Sequence, residues 1–295
     1  MFDYGSMTMA GSIPEALAAL GENPAARVIC GGTDVLLHVR DGKLSGCPLV
    51  CVRDIPQLHG VRLEGDGTLV IGPAASFDEL TRDPLIERYV PLLSCAAGEV
   101  GGPQVRRMAT VGGNVCSGLP SGDIAPGLFV LEAELELEGA SGRRRMGIRD
   151  FYLSAGKVAL QPGELLTALR ITRRNYAGFF GCYIKSAQRN AMDIATLSCA
   201  ALVRLDEDRT HIEEARFALG VAAPVPLRLG RAEAAAKGGR LTQELIGQVA
   251  AAALADARPR DSWRASKQLR LQLARELTAR ALRAAAHDAG GVFDV

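Results

Sequence analysis

Val28-Ile29-Cys30-Gly31-Gly32-Thr33-Asp34-Val35 runs from β-prone residues through a glycine pair into the helically spaced apolar positions Val35, Leu36 and Val39. Strand, tight turn and helix in that order bring several backbone N–H groups to one point, and Gly31 and Gly32 clear side chains from an anion's path. Thr33 adds a hydroxyl donor, and Asp34 is expected to cap the helix. Thr110-Val111-Gly112-Gly113-Asn114 is a second segment of the same chemical type. Its Thr110 and Asn114 offer side-chain hydrogen bonds, and its Gly112 and Gly113 expose backbone donors. Taken singly, each segment reads equally well as a tight turn or a helix cap. Taken together they favour one large anionic ligand, a cofactor diphosphate. Asp123, acceptor-only when ionised, suits the hydroxyls of a ribose or ribityl chain.

Around these segments the 295 residues, 48% hydrophobic and 23% charged, read as an ordered globular chain. At roughly 150 residues per domain the length suggests two domains. The polar rise at Thr172-Arg173-Arg174-Asn175-Tyr176 divides the chain into 1–175 and 176–295. In the first part Ser12-Ile13-Pro14-Glu15 and Ser76-Phe77-Asp78-Glu79 are capping-box helix starts. Positions 50–52 read as a strand, and 61–71 as a hairpin turning at Gly65-Asp66-Gly67, which lacks the third glycine of a dinucleotide fingerprint. The uncharged stretch 108–122 reads as a loop feeding a buried helix from Ile124. Strands of a meander follow from Glu134, with Arg143, Arg144 and Arg145 forming a solvated face. The second part is expected to hold three strands, at 179–186, 194–204 and 211–219, and then alanine-rich helices. The last of these, at 261–287, carries Leu269, Leu273 and Leu277 as its apolar stripe.

The 34 basic against 33 acidic residues leave a net charge of +1, which gives nucleic acid no attractive field. Eight Lys or Arg within 258–283 lack interleaved aromatics other than Trp263, so packing or a subunit contact is expected there. The longest apolar runs fall well short of the roughly 20 residues that cross a bilayer. No basic residue precedes an apolar segment at the start, so no secretory signal is expected and the cytoplasm is the expected compartment. Seven scattered cysteines suit reduced thiols, and neither they nor the four isolated histidines show metal spacing. No nucleophile elbow marks a hydrolase.

Three segments in this order resemble one family. ICGGTD (29–34), ATVGGN (109–114) and YIKSAQRNAMDIAT (183–196) resemble the two diphosphate loops and the opening of the C-terminal domain in FAD-binding subunits of molybdenum hydroxylases. These are flavoproteins with a p-cresol methylhydroxylase (PCMH) type of FAD domain. The opening MFDY, GGPQVRRMATVGGN (101–114), ALGVAAPVPLR (218–228) and SWRASKQLRLQL (262–273) extend the resemblance over nearly the whole chain, toward the flavin subunits of bacterial three-subunit xanthine dehydrogenases. Cys30 stands where that family usually has alanine, and the four-cysteine iron–sulfur insertion of some relatives is missing.

The resemblance implies an α+β fold: a two-part PCMH-type FAD-binding domain followed by a smaller C-terminal domain with a three-stranded sheet and helices. It implies that Val28, Ile29, Cys30, Gly31, Gly32, Thr33, Asp34 and Val35, with Thr110, Val111, Gly112, Gly113 and Asn114, wrap the FAD diphosphate. Asp123 would meet the sugar portion, Val100 and Gly101 would pass the ring, and Leu166 and Lys185 would lie near the flavin. A cation there favours the negatively charged reduced flavin and raises its potential. Arg189 and Asp193 are expected to pair and shape the turn, and no catalytic acid or base is expected. By the same resemblance a molybdopterin-binding large subunit oxidises a purine, and a small subunit with [2Fe-2S] clusters relays the electrons. FAD on this chain then reduces NAD, and the heterotrimer dimerises. The alternatives are a flavin subunit serving carbon monoxide, an aldehyde or an N-heterocycle, a non-catalytic scaffold, and a free-standing flavin oxidase.

Overall fold

Strand and helix alternate at the start of the chain, which is the order that parallel pairing needs. In the computed structural model, which describes residues 2–293, β1 (Met7–Met9), β2 (Arg27–Ile29) and β3 (Leu49–Cys51) form a parallel sheet in the order β1-β3-β2. The helices α1 (Ile13–Glu22) and α2 (Val35–Arg40) lie in the connections. Ser12 caps α1 by accepting from the Glu15 N–H at 3.4 Å, while Glu15 reaches back to the N–H of Gly11, at 2.8 Å, rather than to that of Ser12.

The hairpin of β4 (Val61–Leu63) and β5 (Leu69–Ile71) turns at Gly67, whose φ of +81° suits glycine. Short helices follow: α3 (Phe77–Leu80), α4 (Pro84–Tyr89), α5 (Pro91–Gly98), α6 (Pro103–Met108), α7 (Val111–Ser117) and α8 (Ile124–Val130). Then come β6 (Glu134–Gly139), β7 (Gly142–Gly147), α9 (Ile148–Phe151), the ribbon of β8 (Tyr152–Ser154) with β9 (Lys157–Val158), and β10 (Leu165–Ile171). Buried along its whole length, β10 is the centre of the antiparallel sheet β4-β5-β10-β6-β7. On β7, Arg143 and Arg145 pair across the ladder with Glu138 and Glu136 as a solvated face does, whereas Arg144 reaches Glu164 and the Ala159 carbonyl.

The stretch 108–122, expected as a loop, contains α7. Glycine is a poor helix former, but here non-local packing overrides the propensity. The Thr110 hydroxyl accepts from the Gly113 N–H at 3.2 Å to start the helix, and Gly118, with φ +65°, ends it in the left-handed region. From there the chain enters α8, every residue of which is buried.

Three long antiparallel strands, β11 (Phe180–Ser186), β12 (Leu197–Leu205) and β13 (Ile212–Gly220), build the C-terminal sheet, extended by the two-residue β14 (Leu227–Arg228). The helices α10 (Gly230–Ala236), α11 (Gln243–Asp256) and α12 (Lys267–Asp288) follow, and α12 packs on β12. The last helix starts at its Ser266 cap, later than expected, and its buried face is Ala274, Leu277, Ala281, Leu282 and Ala285, while Leu269 is 43% exposed. Of the expected leucine stripe, Leu277 is buried and Leu273 packs partly against the core, while Leu269 lies outside the packing face, which small alanines complete. The largest core cluster joins the helices between β5 and β6 to Tyr183, Ala200, Leu202 and Ala218 of the C-terminal sheet. Arg216 and Arg228 of that sheet donate to the Val130 and Phe129 carbonyls at the end of α8, at 3.3 and 3.1 Å. The first satisfies a carbonyl that the helix end leaves unpaired, the second adds to the bond the Phe129 carbonyl accepts from the Glu132 N–H, and both fix α8 against the sheet.

Candidate functional site

Residues 30–34 form the expected turn between β2 and α2. The backbone N–H groups of Gly31, Gly32, Thr33, Asp34 and Val35 make no hydrogen bond among the described residues. Those of Gly32 to Val35 are the donors that the first turn of α2 leaves unpaired, and with Gly31 they offer anionic oxygens a run of five. Both glycines are required by geometry. A Cβ on Gly31 would stand 1.8 Å from the Met108 carbonyl oxygen, and Gly32 has φ +72°. Asp34 occupies the N-cap of α2, yet its carboxylate makes no capping bond. An N-cap needs extended backbone to turn its side chain onto the first free N–H groups, and Asp34 is already helical, with φ −103° and ψ −48°. The Cys30 thiol is half-buried, and burial pushes its pKa up against a hydrogen bond with Thr110, which leaves it protonated and weakly nucleophilic.

The second segment is different. The Val111 N–H donates to the Ala75 carbonyl at 3.0 Å and the Gly112 N–H to the Pro73 carbonyl at 2.8 Å. The Gly113 N–H is taken by the Thr110 hydroxyl, and the Asn114 N–H by the Thr110 carbonyl at 3.0 Å. The expected free donors on Gly112 and Gly113 are therefore engaged, because the segment is the first turn of a helix docked on 73–75. What it leaves unpaired is a side-chain acceptor: Asn114 Oδ1 is buried without a hydrogen-bond partner among the described residues. That oxygen lies 2.6 Å from where a Gly122 Cβ would stand, beside Asp123.

Asp123 heads α8, but its carboxylate turns to β11 instead of capping the helix. Oδ1 accepts from the Tyr183 hydroxyl and Oδ2 from Lys185 Nζ, each at 2.9 Å, and Lys185 Nζ also donates to the Glu99 carbonyl at 2.8 Å. Burial pushes the Asp123 carboxyl up to about 6, opposed by the Lys185 charge and by both hydrogen bonds. Val100 is buried directly after Glu99, and Gly101, at φ +51°, accepts the Met192 N–H on its carbonyl at 3.1 Å. Asp193 accepts from the N–H groups of Gln188 and Arg189 and lies 3.7 Å from the Arg189 guanidinium, so the pair shapes this turn.

A continuous line of contacts thus runs from Gly31 through Met108 and Thr110 to Asn114, across Gly122 to Asp123, and on to Lys185, Glu99 and Gly101. Leu166 stands apart from it, buried in the core on β10, which packs against α7. Sequence reasoning passed over Tyr183 and Arg53. Tyr183 was legible, since residues two apart on a strand share a face with each other, and Lys185 was already singled out. Arg53 lines a hollow of about 80 Å³ with Cys30, Gly31, His59, Arg107 and Thr110. Its guanidinium rests on Met108 Sδ at 3.6 Å and pairs with no carboxylate among the described residues. A larger groove, about 730 Å³, is lined by Tyr89, Arg173, Tyr176 and Phe179 and holds none of the expected residues. Among the described residues no cluster of three or more potential metal ligands occurs, and no helix is long and apolar enough to cross a membrane.

Residues 2–173 match the FAD binding domain in molybdopterin dehydrogenase, and residues 182–285 match the CO dehydrogenase flavoprotein C-terminal domain. The chain belongs to the FAD-binding subunits of the molybdenum hydroxylase family. It is 37% identical to the xanthine dehydrogenase FAD-binding subunit of Escherichia coli O157:H7 over 99% of both chains. It is 30% identical to the carbon monoxide dehydrogenase medium chain of Hydrogenophaga pseudoflava, over 93% of this chain and 94% of that one. A chain of the solved carbon monoxide dehydrogenase from H. pseudoflava superposes with a TM-score of 0.90 at 31% identity, covering 98% of each. The expected α+β architecture, an FAD domain followed by a flavoprotein C-terminal domain, is the one found.

Proposed function

We propose that this chain is the flavin subunit of a xanthine dehydrogenase, carrying FAD and passing electrons to NAD. The observation that carries the reading is the run of five unbonded N–H groups from Gly31 to Val35, a donor set that fits a diphosphate. In this reading Val28, Ile29 and Cys30 bring the chain to that cradle, and Thr110, Val111, Gly112 and Gly113 buttress it from behind through the Gly31–Met108 contact. Asn114 Oδ1, a buried acceptor without a donor, receives a sugar hydroxyl beside Asp123. Leu166 backs the site from β10, and Val100, Gly101 and Lys185 border the ring. Bound FAD would supply the conversion of electrons that arrive singly into a pair delivered together. The chain itself binds, orients and shields, and it needs no proton-transfer residue of its own for that conversion.

The partners in this reading are a molybdopterin-binding large subunit and a small subunit with [2Fe-2S] clusters, in a heterotrimer that dimerises in the cytoplasm. The two domains divide near residue 175. The whole-length similarity to a xanthine dehydrogenase subunit supports the purine assignment. The similarity to a carbon monoxide dehydrogenase medium chain favours a second reading, the same flavin role in a complex with another substrate. Co-expression with neighbouring genes, purification and anaerobic addition of xanthine with NAD tests both. A yellow complex that forms NADH on xanthine is the expected result. NADH from carbon monoxide, an aldehyde or an N-heterocycle but not from xanthine would move the substrate assignment, and a complex without flavin would remove the function.

A further inference from the structure

Lys185 is not a bare cation. Its side chain is 5% exposed, and its ammonium lies against the Asp123 carboxylate, itself 9% exposed, at 2.9 Å. The remaining carboxylate oxygen is held by the Tyr183 hydroxyl, and the remaining contact of the ammonium is the neutral Glu99 carbonyl. The three side chains come from two elements, Tyr183 and Lys185 from one face of β11 and Asp123 from the head of α8. The ionised pair sums to zero charge. At the distance of a neighbouring ring its field is that of a short dipole, which falls off faster than the field of one charge.

Building on the FAD reading, we propose that Asp123, held in place by the Tyr183 hydroxyl, masks the charge of Lys185, so that the Asp123–Tyr183 unit and not Lys185 alone sets the potential of the flavin. Tyr183 and Asp123 are positioning residues in this scheme, acting through Lys185. The charged and titratable groups facing Asp123 are Lys185 and Tyr183 from β11 and Glu99 from the end of α5. Burial opposes the charged carboxylate, while Lys185 and the Tyr183 hydroxyl favour it. Take the phenol hydrogen bond away and burial gains, the carboxyl takes up a proton more readily, and the ammonium is left as a net positive charge. A reduced, anionic flavin would then become its counter-ion.

The test is the two-electron midpoint potential of the full-length, FAD-loaded chain by spectroelectrochemical titration. Asp123→Asn keeps the volume and removes the charge. It is expected to raise the preference for reduced over oxidised flavin about tenfold, a shift of about 30 mV upward. Tyr183→Phe should raise the potential less, with the increment growing as pH falls toward the Asp123 value of about 6. Lys185→Met leaves the carboxylate unpaired and should lower it, and Asp123→Asn combined with Lys185→Met, neutral like the parent pair, should return it toward the parent value. If Asp123→Asn fails to fold, Tyr183→Phe, which deletes one oxygen, carries the test with its pH profile. A potential in Asp123→Asn or Tyr183→Phe equal to or below that of the parent chain would overturn the masking scheme and leave the pair a strut between α8 and β11. A parent chain that takes up no FAD would instead overturn the flavin reading beneath it.

Discussion

The two glycine segments have nearly the same composition and opposite hydrogen-bond accounts. Among the described residues no backbone N–H from Gly31 to Val35 is bonded, whereas from Val111 to Asn114 every one is. Their glycines serve different ends as well. Gly32 supplies a left-handed turn and Gly31 a close approach to the Met108 carbonyl, but Gly112 exists to let α7 dock on Pro73, whose Cβ would lie 2.4 Å from an added Cβ. A glycine pair by itself therefore signals close backbone approach. Only the count of unsatisfied donors separates a cradle for an anion from a joint in the scaffold.

The sharpest way to break this contrast is Gly31→Ala. The new methyl would meet a main-chain oxygen that no rotamer change can move, so a loss of about 3 kcal/mol or more is expected in urea unfolding, together with loss of bound FAD. An alanine there with parental stability would mean the two segments are not in contact. Next in size is Gly112→Ala, where Pro73 Cβ and the Pro73 carbonyl at 2.7 Å must yield. These contacts are longer than the 1.8 Å at Gly31, so the overpacking is expected to cost less, about 2 kcal/mol. Each folded molecule should nevertheless bind FAD as tightly as the parent, as measured by fluorescence quenching, because no ligand-facing donor is touched. Smaller again is Thr110→Ala. It removes the cap of α7 and is expected to cost about 1 kcal/mol, again without a change in FAD affinity. A large affinity loss in either variant would put the second segment back among the ligand donors.

Much of this was legible. Ser76 with Glu79 forms the full reciprocal capping box, with bonds of 2.7 and 3.2 Å, because both partners lie within one turn. The β2 turn was legible for the same reason, since a strand, two glycines and a helical period are all local. What could not be read is what lies far away in sequence. Whether the Gly112 N–H is free depends on Pro73, and whether Asp123 faces a sugar or a lysine depends on Tyr183 and Lys185, about 60 positions on. The face of α12 was legible in part: Leu277 and Leu273 do lie on it, but Leu269 does not, and the alanines that complete the face carry little weight in a hydrophobicity count. Residue type reports transfer energy, and packing geometry comes only from the partner surface.

The smallest expected effect is also the most discriminating. Asp34 sits among the unbonded donors as the one negative side chain of the turn, is exposed, and makes no capping bond. Asp34→Ala therefore removes no hydrogen bond, and its effect on stability should stay within about 0.5 kcal/mol, where a working N-cap would give about 1. Its effect on FAD depends on what the turn uses to hold the ligand. If main-chain N–H groups carry the diphosphate, deleting a like charge beside them leaves affinity equal or slightly better, with the gain fading as salt screens the exposed carboxylate. If instead the carboxylate accepts from a hydroxyl of the ligand, a charge-assisted bond is lost, and affinity should fall by roughly tenfold or more whatever the salt concentration. The first outcome makes the turn a pure backbone cradle, and the second makes Asp34 a side-chain ligand and turns the first segment into a site for a sugar rather than for its phosphates.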